Sequence, residues 1–104
     1  MSELPEIGCR DEGGAFRITL SGEVDLRNAK LIEAAATDAL AEQRPIVIDL
    51  AAVSYIDSTG VHVIRGLARR AEPLRVTLVA PAGSIARDVL DMIDAGSFAE
   101  LAEA

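Results

Sequence analysis

Two short apolar segments separated by one amphipathic stretch constrain the fold of this chain more than any other feature. Ala15 to Gly22 alternates, with Phe16, Ile18 and Leu20 apolar and Arg17, Thr19 and Ser21 polar. Period two marks a strand with one buried face and one wet face. Ile46 to Leu50 is apolar almost throughout, as in a strand covered on both faces. Between them, Arg27 to Gln43 places Ala29, Ile32, Ala36, Ala39 and Leu40 on one helical stripe. Lys30, Glu33, Thr37 and Asp38 lie largely off it. Asp25 is placed to cap this helix or the turn leading into it, and Pro45 stops it.

The alternation continues. After a short loop, Ser58 to Arg70 predicts a second helix with Val61, Ile64, Leu67, Ala68 and Ala71 inside. Arg75 to Ala80 predicts a strand carried by Val76, Leu78 and Val79. Gly83 to Ile93 predicts a third helix with Ile85, Val89, Leu90 and Ile93 facing in and Gly96 ending it. The tail from Phe98 to Ala104 is expected to be helical or frayed. Upstream, Ile7 to Glu12 is expected to pair as an edge strand with Ala15 to Gly22 across Gly13-Gly14. The order β-β-α-β-α-β-α predicts an α/β fold, a mixed sheet with parallel crossovers and one antiparallel edge. A chain of 104 residues suits one domain.

Charge narrows the function. The formal net charge is −7, with 17 acidic against 10 basic residues. Nucleic acids and anionic membrane surfaces both demand a basic footprint, so neither is an expected partner. The acidic N-terminus lacks the apolar core of a signal peptide, and the longest apolar runs are too short to cross a bilayer, so a cytoplasmic protein is expected. Cys9 is the single cysteine, which fits a free thiol in a reducing compartment, with a redox sensor as the alternative. It makes no zinc site with the single histidine, and no metal or cofactor is expected.

The polar stretch Ile56-Asp57-Ser58-Thr59-Gly60-Val61 joins a buried strand to a helix. In α/β sheets, ligands and partners meet the protein at the carboxyl ends of strands. Ser58 has two possible duties there. One is a helix cap, worth about 1 kcal/mol. Asp57, Ser58 and Thr59 are all competent to cap, more than one helix needs, and Val61 rather than Glu or Gln denies Ser58 a capping box. The other duty is a phosphorylation switch. A phosphate adds a charge of about −1.5 to −2 and three acceptor oxygens. The helix N-terminus tolerates that charge locally, so the fold need not change. At about 5 Å and an effective dielectric of about 20, one added charge repels an acidic partner group by about 3 kcal/mol. That is roughly two decades of affinity. A partner packed on the site also suffers steric exclusion.

A catalytic pairing of Asp57 and Ser58 needs a base, and the one histidine, His62, sits a turn along the same helix with no oxyanion hole in view. An enzyme is therefore not expected. His62, Arg65 and Arg69 share one helical face, either a solvated stripe or a contact strip for an acidic partner surface or a phosphate-bearing ligand.

Ser21-Gly22-Glu23-Val24-Asp25, then Ile48-Asp49-Leu50, then Ile56-Asp57-Ser58-Thr59-Gly60-Val61, in that order and spacing, resembles the STAS domain. The branch it most resembles is the anti-sigma factor antagonists of bacteria. The resemblance covers about Ile7 to Gly96 of a single domain at 1–104. It implies a four- to five-stranded mixed sheet packed with helices. It also implies a regulator that binds an anti-sigma factor with serine-kinase activity and so frees a sigma factor. By the same resemblance the kinase modifies the serine after the aspartate, which is Ser58 here, rather than Thr59, and a metal-dependent phosphoserine phosphatase restores the active form. Asp25 matches the acidic residue near the contact surface and Asp57 the one beside the modified serine. The residues expected to meet the partner are Glu23, Asp25, Asp57, Thr59, Gly60, His62 and Arg65. His62 and Arg65 depart from the small or apolar residues usual at their positions.

Two other duties remain open on the residues alone. One is a STAS accessory subunit of a lipid transporter or of a stress-signalling assembly, against which the lack of any further domain argues mildly. The other is a small-ligand or nucleotide binder, against which no glycine-rich phosphate loop is present.

Overall fold

Strand β1 (Ile7–Glu12) turns at Gly13 and Gly14, both at positive φ, into β2 (Ala15–Val24). A computed structural model of the chain describes residues 7–74 and 76–103. The remaining elements are α1 (Leu26–Ala41), β3 (Ile46–Ile56), α2 (Ser58–Ala71), β4 (Val76–Val79), α3 (Ile85–Met92), a 3-10 turn (Ala95–Ser97) and β5 (Ala99–Ala102). The five strands form one sheet in the order β1-β2-β3-β4-β5. β1 pairs antiparallel to β2, and the other pairs are parallel. The expected mixed α/β sheet and its antiparallel edge are both present.

One buried cluster joins all of this. Ile18 and Leu20 of β2, Ile46, Ile48 and Leu50 of β3, and Val76 and Leu78 of β4 line it from the sheet. Ile32 and Ala36 of α1, Ile64 and Leu67 of α2, and Ala86 and Leu90 of α3 close it. Each large aliphatic side chain buried there contributes about 1.5–3 kcal/mol. Alternate residues Thr19, Val47, Asp49, Thr77 and Glu100 are exposed or half-buried on the other face. There Arg17 reaches Asp49 across the β2–β3 pair at 2.5 Å.

Several expectations are corrected. The loop expected before Ser58 is instead the second half of β3, paired to β2 as far as Val24↔Ile56. Two register shifts, between Thr19 and Ser21 and between Gly22 and Glu23, give β3 one extra residue each. Its buried positions therefore run Leu50, Val53, Ile56, at a spacing of three that hides the strand from a period-two reading. β2 likewise runs on to Val24 rather than ending at Gly22. In α2 the buried set is Gly60, Val63, Ile64, Leu67 and Ala68, with Val61 and Ala71 only half-buried. Ile85 does not face inward: it is the first residue of α3, just after the Ser84 cap, and is exposed, while Ala86 takes the core position. Gly96 does not end α3, which stops at Met92. Asp94 in the left-handed region turns the chain, and Gly96 lies in the 3-10 turn.

The tail is neither helical nor frayed through 99–102, because β5 pairs with β4 from Val76↔Ala99 to Val79↔Ala102. Its Ala-Glu-Leu-Ala composition favours helix, but the free edge of β4 overrides that weak preference. Arg75, read as the start of a strand, and Ala104, read with the tail, lie outside the described residues, as does the side chain of Asp38.

Candidate functional site

β2 and β3 end side by side, and each passes almost at once into a helix. The N-termini of α1 and α2 therefore stand together at the carboxyl edge of the sheet. The Asp57 N–H donates to the Val24 carbonyl at 3.1 Å and ties the two ends together. Gly60 makes this approach possible. It is buried, and a Cβ there would lie 2.8 Å from Val24 Cγ1 and 3.1 Å from the Val24 carbonyl oxygen. Among the residues expected to meet a partner, Gly60 thus works from beneath and presents no side chain.

The cap of α2 is Asp57. Its backbone is extended, its Oδ1 accepts from the Gly60 N–H at 2.9 Å, and its carbonyl accepts from the Val61 N–H at 3.0 Å. Ser58 is the first helical residue and is exposed. Among the described residues its hydroxyl makes no hydrogen bond, so the capping duty open to it is already taken. Thr59 is half-buried behind it. No hydrogen bond among the described residues joins Ser58 to Asp57 or to His62, the arrangement a nucleophile and its base need.

The start of α1 is built reciprocally. Asp25 Oδ1 accepts from the Arg27 N–H at 2.9 Å, while Asn28 Oδ1 accepts from the Asp25 N–H at 2.9 Å. Asn28 Nδ2 also donates to the Glu23 carbonyl at 2.5 Å, and the residue is buried. This is the logic of a capping box with an amide in the third helical position. The Arg27 guanidinium lies 2.8 Å from Asp25 Oδ2 and 3.3 Å from Glu23 Oε1. Its hydrogen bond holds the Asp25 carboxyl below the usual carboxylate range. The pair is solvent-screened and contributes little to stability. Two apolar side chains stand exposed beside these charges: Leu26, at the head of α1, and Tyr55, opposite Glu23 in the β2–β3 register.

Glu23, Asp25, Asp57, Ser58, Thr59 and Gly60 are thus brought together, and His62 follows one turn along α2, exposed. Arg65 is not part of the group in the same way. Its guanidinium sits 5.4 Å from the ring centroid of Phe98, just before β5, and braces α2 against the C-terminal segment. The site also holds residues that sequence reasoning missed. Asn28 was findable from the Asp25-x-x-Asn28 spacing. Leu26 and Arg27 leave no sequence signal, because the head of α1 meets the head of α2 only through the β2–β3 register, and the same pairing sets Tyr55 opposite Glu23. The hollows lined by Leu40, Arg44, Arg70, Ala68, Pro73, Leu74 and Phe98 lie towards the other ends of α1 and α2, away from this edge. Among the described residues no helix is long and apolar enough to cross a membrane.

Comparison with known proteins agrees with this architecture. No curated protein matches the chain in sequence. An anti-sigma factor antagonist from Mycobacterium paratuberculosis superposes with a TM-score of 0.80 at 24% identity, over 97% of this chain and 87% of that one. SpoIIAA, an anti-sigma factor antagonist, superposes in its unphosphorylated form at 0.73 and 22% identity, over 97% and 89% of the two chains. The phosphorylated form of SpoIIAA, a Bacillus cell fate determinant, superposes at 0.69 and 22% identity, over 93% and 91%. These are likenesses of fold. The family model described as STAS domain matches residues 8–102, nearly the whole sheet and every helix, and this chain therefore belongs to the STAS domain family.

Proposed function

We propose that the chain is an anti-sigma factor antagonist: unmodified, it docks on an anti-sigma factor through the carboxyl edge of its sheet and so releases a sigma factor. Phosphorylation of Ser58 by that anti-sigma factor, acting as a serine kinase, ends the contact. The observation that carries this reading is the division of labour at the head of α2, where Asp57 caps the helix and leaves the exposed Ser58 hydroxyl free. Solved structures of the same fold are described as anti-sigma factor antagonists, and one of them is known in both phosphorylation states, which supports the reading.

The chemistry asks little of this chain. The Ser58 oxygen attacks the γ-phosphorus of the kinase's ATP, the bond to the ADP oxygen breaks, and the hydroxyl proton leaves to a kinase base. This chain's residues present the hydroxyl on a rigid first turn fixed to Val24. Leu26 and Tyr55 offer apolar contact area, and Glu23, Asp25 and Asp57 offer charge around it. A phosphoryl group among them must be desolvated before a partner can close on those contacts. A phosphoserine phosphatase resets the switch by hydrolysis, and the cycle belongs in the cytoplasm, where ATP and sigma factors meet.

The test is a binding and labelling experiment with the cognate anti-sigma factor and ATP. Mass spectrometry is expected to find the phosphate on Ser58. Ser58→Ala is expected to bind at least as well as native protein and to remain unmodified, and Ser58→Asp to bind roughly two decades more weakly. A label on another residue, or equal binding by both variants, overturns the proposal.

A further inference from the structure

We propose that His62 is the intramolecular partner of the phosphoryl group on Ser58. This rests on Ser58 being the acceptor and adds a device that holds the modified state. Ser58 opens α2 and His62 lies four residues on, both exposed. Residues four apart share one helical face. Helical side chains lean towards the N-terminus, so residue i+4 covers the surface above residue i. An imidazole N–H at that place donates a charge-assisted hydrogen bond to a phosphate oxygen.

The other charged groups near the head of α2 are anionic, engaged, distant or carried by the neighbouring helix α1. Glu23 and Asp25 at the end of β2 and Asp57 before α2 repel a phosphate. On α1, Arg27 is held by Asp25 and Glu23, while Lys30, exposed one turn into α1, and Glu33 belong to that neighbouring helix and not to the face of α2 that bears Ser58. Arg65 is seated over Phe98. Arg69 stands three turns from Ser58, about 16 Å along the axis. His62 is the hydrogen-bond donor on the same face of α2 as Ser58, one turn away.

Phosphoserine installed at position 58 during translation makes the test independent of any kinase. The ³¹P resonance is followed against pH, and a nearby cation favours the dianion and lowers its titration midpoint. His62→Gln is expected to raise that midpoint by about 0.2–0.4 of a pH unit, the size of one helix pair. His62→Lys is expected to keep it low and Arg65→Ala to leave it unmoved. The difference between native protein and His62→Gln is expected to shrink in about 1 M salt. A midpoint indifferent to His62→Gln, or equally raised by Arg65→Ala, overturns the pairing. Kinase labelling away from Ser58 would instead overturn the acceptor assignment while the ³¹P result stood, so the two failures are distinguishable.

Discussion

At the head of α2 a carboxylate takes the capping duty and leaves the neighbouring hydroxyl free. The residues alone did not show which of Asp57, Ser58 and Thr59 would cap, because that choice depends on where the backbone leaves the extended region. Here it does so at Asp57, whose ψ is −178°. Gly60 sets how closely the turn seats. Gly60→Ala is expected to destabilise the protein by about 1–3 kcal/mol through overpacking on Val24, measured by urea unfolding. Amide exchange at Asp57 is expected to accelerate as its bond to the Val24 carbonyl lengthens. Asp25 supplies a pH signature. Its folded pKa is depressed by Arg27, so its contribution is present above the unfolded carboxyl's pKa and is lost as pH falls through the folded one. Asp25→Asn still caps α1 but does not titrate. Its melting temperature is expected to approach that of the native protein in acid below about pH 4, where thermal scans at stepped pH read the convergence.

At the scale of elements, Asn28 fastens two at once, with one side chain bonded to the backbone of Glu23 at the end of β2 and of Asp25 at the turn into α1. Asn28→Ala removes both bonds, leaves the part-buried Asp25 N–H and Glu23 carbonyl without them, and is expected to cost about 1–3 kcal/mol in chemical unfolding, with the rise in exchange concentrated at Asp25. The elements differ in how visible they were. α1 announces itself by an unbroken period and a stop before Pro45, the first half of β2 by strict alternation, and the hairpin by paired glycines. The second half of β3 does not, since two bulges stretch its buried positions to a spacing of three. β5 does not either, since four residues of helix-favouring composition become strand only beside the open edge of β4.

At the scale of the molecule, one buried cluster runs through β2, β3, β4, β5 and all three helices. A single shared core predicts a single cooperative transition. Far-UV circular dichroism and amide resonances from α1 and from β5 are expected to lose native signal at the same urea concentration; separate midpoints would show that the C-terminal segment unfolds alone. The sequence by itself determined the alternation of strands and helices, the core stripe of α1, the antiparallel edge and the polar turn bearing Ser58. Each of these is a matter of periodicity and local chemistry among near neighbours. Only the tertiary structure decided the length of β3, the existence of β5, the burial of Gly60, and the pairing that sets Glu23 opposite Tyr55 and brings Arg27 to the turn. Those outcomes are settled by which backbone edge is free to accept a partner and by how many residues each strand holds between paired positions. They depend on contacts between segments far apart in the chain, which no short window of sequence contains.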